Sequence, residues 1–278
     1  MLRKLHIILL LLSIHLITHA EEWSQPCENI LTLRYGGLWQ QDQYLSPLLY
    51  SGQAIGISNE WWQHFRRDTT QHWLHVGQLH ITGAIAYSER KNNLIYSMEL
   101  QGGWGTQYTW KWPHLGLQLL LGPYIDMDLF PKIQASNVNK PYSMDLSINL
   151  NAMGGIRWTF NARKTSYRLQ YLARANIIGI DYLPDYWHSY FEMSEGVLGQ
   201  IRCAGMWNHR RLHHELTFDM QFIRSTWRIG VKHEYIEYGT PNMMFSREQV
   251  SAIIGWIWEE KRMRGRVMRE LLIMNYEF

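Results

Sequence analysis

The sequence predicts an all-β fold: a closed antiparallel up-and-down transmembrane β-barrel of about ten strands, within a range of about ten to twelve. Three observations lead there. Apolar and polar residues alternate with period two along most of the chain, the pattern of strands with two unlike faces. The alternating stretches are long, as in Met144–Phe160, whereas ordinary strands run to about five or six residues. Short and long connections follow one another in turn, as in barrels with short periplasmic turns and longer outer loops.

Composition narrows the class. The 278 residues are 46% hydrophobic, 18% charged and 14% aromatic, with 14 Trp and 16 Tyr. That much apolar material argues against disorder. After residue 20 no apolar run reaches about 18 residues, which excludes a polytopic helical membrane protein.

The first twenty residues read as an address. Arg3 and Lys4 precede an apolar run, Ile7 to Ile17, and Thr18-His19-Ala20 ends it on a small residue. This is the pattern of a secretory signal peptide; a short anchor helix is the alternative. Removing Arg3 and Lys4 from 27 Lys+Arg leaves 25 against 24 Asp+Glu, so no basic nucleic-acid footprint is expected. Residues 21–29 then form a periplasmic arm, 30–258 the barrel, and 259–278 a C-terminal tail or an extra terminal strand.

Ten strands are expected, beginning with a short one at Ile30–Tyr35. Weaker alternation marks Ala54–Phe65 and Trp73–Tyr87. Tyr96–Trp112 sets Tyr96, Met98, Leu100, Trp104 and Trp110 against Ser97, Glu99, Gln101 and Thr109. Leu115–Leu129 sets leucines and Ile125 against Asp126 and Asp128. Met144–Phe160 sets Leu146, Ile148 and Trp158 against Asp145, Asn149 and Arg157. Tyr167–Ile177, Leu212–Met220, Trp227–Tyr235 and Gln249–Trp258 complete the set. Tight turns are expected at 66–70, 111–114, 161–164 and 224–226. Long loops are expected at 37–51, 89–95, 131–142, 184–210 and 238–248. An even count leaves both ends on the periplasmic side. Gly102-Gly103-Trp104-Gly105 is read as a bend in the wall. A soluble barrel or sandwich, lipocalin-like, with its apolar face inward, is the alternative.

By parity Glu99, Asp126, Asp128, Asp145, Glu215, Asp219 and Glu234 face the axis, with Arg157, Arg168, Arg174, Arg228 and Lys232. Both signs together suggest an interior closed by ion pairs; a small polar pocket or narrow pore is the other reading. His80 and His213 also face inward, so a His-plus-Asp site with Asp126 or Asp128 is conceivable, while His213 and His214 point to opposite faces. The longest loop carries Pro184, His188, Ser189, Tyr190 and Glu192. Its Ser, His and Glu are the residue types of acyl hydrolysis; an aromatic lid is the plainer reading. No metal site or cofactor is expected. Cys27 and Cys203 fall at opposite ends by this topology, so no disulfide is expected between them.

Several segments resemble an uncharacterised outer-membrane barrel family of Bacteroidota-type bacteria, a domain of unknown function. The first is Arg34-Tyr35-Gly36 followed by Tyr44-Leu45-Ser46-Pro47-Leu48-Leu49-Tyr50-Ser51-Gly52. The second is Pro184-Asp185-Tyr186-Trp187-His188-Ser189-Tyr190-Phe191-Glu192, similar to a family pattern Pro-x-Tyr-Gly-x-Ser-Tyr-Tyr-Glu. Trp187 and Phe191 depart from that pattern, and 259–278 lies beyond it. The resemblance covers about residues 30–258. It implies an outer-membrane barrel and no activity, so Ser46, Pro47, Pro184, Ser189, Tyr190 and Glu192 are residues of interest only. A structural, binding or narrow transport role is expected; a hydrolase acting on lipid or peptide and a soluble secreted binder are the alternatives. The expected partners are outer-membrane lipid and, during biogenesis, the barrel-assembly machinery, with no nucleic acid and no identified small-molecule ligand.

Overall fold

The computed structural model describes residues 27–260, apart from 66–67, 69, 135, 138–140, 163–164, 184–199, 223–224 and 241–242. The expected leader Met1–Ala20, most of the expected arm, the loop residues Pro184, His188, Ser189, Tyr190 and Glu192, and the stretch 261–278 lie outside the described residues.

Eleven strands are formed: β1 (Cys27–Asp42), β2 (Ser46–His64), β3 (Trp73–Ser88), β4 (Leu94–Trp112), β5 (Leu117–Ile133), β6 (Tyr142–Ala162), β7 (Thr165–Leu183), β8 (Gln200–Gly205), β9 (His209–Gln221), β10 (Thr226–Thr240) and β11 (Met243–Glu260). Every pairing is antiparallel; strands pair with their neighbours in the chain, except that β7 also pairs with β9 and β1 pairs with β11 along its full length, from Cys27↔Glu260 to Asp42↔Phe245. Both β8 and β9 lie against β7, β8 beside 178–183 and β9 beside 166–175. They are two pieces of one stave. The wall therefore closes with ten staves.

The break between β8 and β9 is a short turn. Asn208 closes it by donating its backbone N–H to the Gly205 carbonyl, 3.0 Å, and accepting from the Gly205 N–H at its own side chain, 2.8 Å. Trp207 is pushed outward and is 69% exposed. Across the wall, β7 bulges at the same height: Leu150↔Ile178 is followed by Asn151↔Asn176. Ile177 and Ile178 both face out, and the alternation changes phase beyond them.

The polarity of the wall is inverted relative to a soluble protein. Leu33, Ile57, Leu121, Ile125, Ile148, Trp158, Ile180 and Ile254 are exposed on the outside. Buried inside are Arg34, Glu99, Asp126, Lys132, Arg228 and Lys232. This overturns the soluble lipocalin-like alternative, which requires the apolar face inward. Alternation alone could not decide it, because the same sequence pattern serves either sidedness.

Aromatic rings gird the end that carries Cys27 and Glu260. Trp73 meets Tyr108 at 5.1 Å between centroids, Tyr108 meets Trp110 at 4.8 Å, and Trp158 meets Phe160 at 4.8 Å. Phe160, Tyr167 and Phe218 continue the row at 5.5 and 5.6 Å. Such girdles mark the edges of an apolar band in membrane barrels.

Two expectations need correction. The opening strand is not short: β1 has 16 residues, because Gly36 and Gly37 are tolerated within a continuous ladder. The wide loops at 37–51 and 238–248 are mostly strand: a turn at 43–45 separates β1 from β2, β10 runs to Thr240 and β11 starts at Met243. At that end the strands leave 43–45, 89–93 and 134–141 between them, and at the other end 65–72, 113–116 and 222–225, so loop length gives little help in orienting the barrel. Among the glycines at 102–105, one makes room in the interior. Gly103 faces inward, and a Cβ there would lie 2.6 Å from the Tyr124 ring. Its hydrogen makes room for that ring in the interior.

Candidate functional site in the barrel interior

The alternation that builds each strand aims one side chain inward at every second residue, more of them polar than apolar. All twelve residues expected at the axis are placed there. Eleven are buried, and Arg168 is partly open at the Cys27–Glu260 mouth. Their partners lie across the lumen as well as on adjacent strands.

At the Cys27–Glu260 mouth, Arg168 on β7 forms a two-pronged pair with Glu28 on β1, four staves away, and donates to Asp219 at 2.6 Å. Arg228 takes the other side of Asp219 at 2.7 and 3.0 Å. Arg157 donates to Gln170 at 2.9 Å and lies over the Trp62 ring. Above this lattice opens a vestibule of about 440 Å³, lined in part by Glu28, Arg168, Asp219 and Trp258.

In the middle, Lys232 pairs with Glu234 at 2.8 Å. His213 lies 3.5 Å from both Glu215 and Glu234. Arg174 donates to Gln78 on the far wall at 3.0 Å and stacks on Tyr124. Arg34 donates to the His80 ring, whose Nε2 is 3.8 Å from Glu99.

Toward the other mouth, Arg211 on β9 gathers three carboxylates: Glu99 at 3.2 Å, Asp126 at 3.9 Å, and Asp128 in direct contact. Arg247 on β11 takes the second oxygen of Glu99 at 2.9 Å. Lys132 sits between Asp42 and Asp145, 2.5 Å from each, with the Phe245 ring 4.1 Å away. Tyr238 donates to Asp145, and His209 pairs with Asp181 at 2.9 Å. These groups surround a cavity of about 30 Å³, room for little more than a single water.

The Tyr44–Pro47 motif caps this mouth. Asp42 accepts the backbone N–H groups of Tyr44 and Leu45. The turn tucks Tyr44 and Leu45 into a cluster with Leu38, Tyr50 and Ile95. Asn137 on the facing connection donates to the Leu45 carbonyl at 2.7 Å.

His80 and His213 face the lumen but do not assemble with Asp126 or Asp128. Arg211 occupies the space beside those aspartates, and Arg174 stands against His213. Among the described residues no group of three or more His, Cys, Asp or Glu is placed to hold a metal. Cys27 begins β1 and Cys203 lies in β8 at the opposite end, with no disulfide between them.

Sequence reasoning missed the cations that organise the far half: Arg34, Lys132, Arg211 and Arg247. Each lay in, or just beyond, a strand judged too short. Arg34 lay inside the expected Ile30–Tyr35, while Arg211, Arg247 and Lys132 lay one, two and three residues beyond the expected Leu212–Met220, Gln249–Trp258 and Leu115–Leu129.

Fold and interior define a closed antiparallel barrel with a polar, ion-paired core and an apolar exterior. The chain belongs to the family described as "Protein of unknown function (DUF3316)", whose model matches residues 4–267. No curated protein matches the sequence. Among solved structures, the chain is similar to the transport unit of the autotransporter AIDA-I from Escherichia coli (9% identity, 86% of this chain and 91% of that one, TM-score 0.41). It is also similar to the translocator domain of the autotransporter NalP from Neisseria meningitidis (10% identity, 90% and 95%, TM-score 0.35).

Proposed function

We propose that this chain is an outer-membrane barrel of a Gram-negative cell, exported by a leader at Met1–Ala20, whose interior is a plug with a structural or binding role. The inverted polarity of the wall carries the reading. A folded chain in water would not leave this many Leu, Ile and Trp side chains outward while burying a lattice of arginines and carboxylates. In lipid that arrangement is the stable one, because a closed sheet also satisfies every backbone group.

The plug follows from the pairing. Arg168–Glu28, Arg211–Glu99 and Arg247–Glu99 each join staves four apart in the ring. These bridges cross the space that a conducting path needs. Outer-membrane lipid then surrounds the wall, and the barrel-assembly machinery inserts it.

The test has two parts. Full-length protein should remain in the membrane pellet after carbonate extraction, and in planar bilayers it should show no stepwise conductance. Recovery in the carbonate supernatant would remove the membrane reading. Steady channel steps sensitive to Arg168→Ala would remove the plug.

A further inference from the structure

One sector of the outer wall is not apolar. On β7, β9, β10 and β11, four outward side chains form a connected polar row. The Tyr171 hydroxyl and His214 Nδ1 are 2.8 Å apart, and the His214 and His233 rings stack with centroids at 6.0 Å. His233 Nε2 and Glu248 Oε1 are 3.0 Å apart. The His233 and Glu248 side chains are 38% and 52% exposed. Arg210, with its side chain 61% exposed, lies on the same sector beside Glu237. Exposed Leu212, Leu216, Val231 and Val250 flank the row.

The depth of this row matters. His233 stands six residues above Trp227, which carries the aromatic girdle on β10. At about 3.3 Å per residue and a tilt of about 40°, that is roughly 15 Å along the membrane normal. The apolar band of such barrels is roughly 25 Å tall. The imidazoles therefore lie inside the band, roughly 10 Å from its far edge, where lipid tails offer them no hydrogen bond, while Arg210 and its register partner Glu237, further along the strands, reach toward that edge. A polar group there is costly unless protein covers it.

The geometry points to a second copy of this chain as that cover, an inference that rests on the membrane reading above. The patch is self-complementary: it carries an exposed cation, Arg210, and an exposed anion, Glu248. A two-fold contact places each opposite the other's counterpart. The flanking Leu212, Val231 and Val250 supply close packing around the polar centre.

The test uses full-length protein in lipid vesicles, with Cys27 and Cys203 replaced by serine. Val250→Cys, within the patch, should crosslink to dimer on mild oxidation. Ile125→Cys, on β5 and opposite β11 in the ring, should not. Glu248→Leu should weaken dimerisation about tenfold, the order expected for one hydrogen-bonded contact in a membrane. Glu248→Gln should weaken it less. Vesicle flotation and heat-modifiable gel mobility report insertion and folding separately. Protein that floats and folds but stays monomeric, or crosslinks equally through Ile125→Cys, overturns the pairing alone. Protein that fails to float overturns the membrane reading and this inference with it.

Discussion

The Arg211 guanidinium on β9 spans the lumen to Glu99 on β4, 3.2 Å away, while its other nitrogen contacts Asp128. One cation thus holds two walls and, with Asp126, satisfies three buried acids. Removing it would leave like charges facing one another in a medium that screens poorly. Arg211→Met is expected to cost about 3–5 kcal/mol, read as a shift in the urea midpoint of tryptophan fluorescence for the lipid-inserted protein. Arg211→Lys should retain part of the stability, since a single ammonium cannot serve both sides at once.

The Arg168–Glu28 pair closes the Cys27–Glu260 mouth. Arg168→Ser leaves Glu28 without its partner, Glu28→Ser leaves Arg168 held by Asp219 alone, and the double replacement removes both charges. A double-mutant cycle should give a coupling of about 1–3 kcal/mol. A coupling near zero would show that the two side chains do not act on each other in the folded barrel.

Ile125 offers a direct test of sidedness. It is 50% exposed on the outer wall of β5. Ile125→Arg should cost about 2–4 kcal/mol if lipid lies against it. On a water-exposed wall the same change would fall within about 0.5 kcal/mol. Equilibrium unfolding from vesicles reads the difference.

Gly103 tests the packing of the interior. A side chain there meets the Tyr124 ring, over which Arg174 stacks 4.7 Å from the centroid. Gly103→Val should destabilise by about 1–3 kcal/mol through overpacking. Gly102→Ala, whose Cβ would meet only Leu79 at 4.0 Å, should be close to neutral by the same measurement.

Asp68 lies in the turn between β2 and β3, outside the spanning strands. Its carboxylate accepts from the Thr70 hydroxyl, the Trp73 N–H at 2.7 Å and the Thr70 N–H at 3.0 Å. These donors hold its pKa down to about 2. A depressed carboxyl pKa stabilises the fold fully above the unfolded value near 3.9, and that support is lost as pH falls through about 2. Carboxyl NMR should show Asp68 titrating well below the other exposed acids. Thr70→Val, which removes the hydroxyl donor, should move that titration upward.

Much of this architecture was legible from alternation, because a barrel wall repeats one rule along every strand. Met144–Phe160 shows it best: Leu146, Ile148 and Trp158 stand outside, and Asp145, Asn149 and Arg157 inside. The rule fails where the backbone breaks it. Asp181 points inward only because Ile177 and Ile178 both point out, and no residue type announces that bulge. Pairing was not legible either. That Arg168 meets Glu28, or Arg247 meets Glu99, depends on the stagger of strands around the ring, which no local window contains. His214 was separable from His213 by parity. Its contacts to Tyr171 and His233 required the register of three strands.

The β1–β11 seam has a consequence for how the molecule is made. Cys27 and Glu260 are direct partners, so the last of the described staves completes the first. Until then the sheet has two raw margins, each a row of peptide groups that oil would penalise by several kcal/mol apiece. In the proposed membrane setting, insertion is therefore expected to be all-or-none with respect to β11. A nascent polypeptide shortened before Met243 should be found clumped or degraded, never as a nine-stave ring.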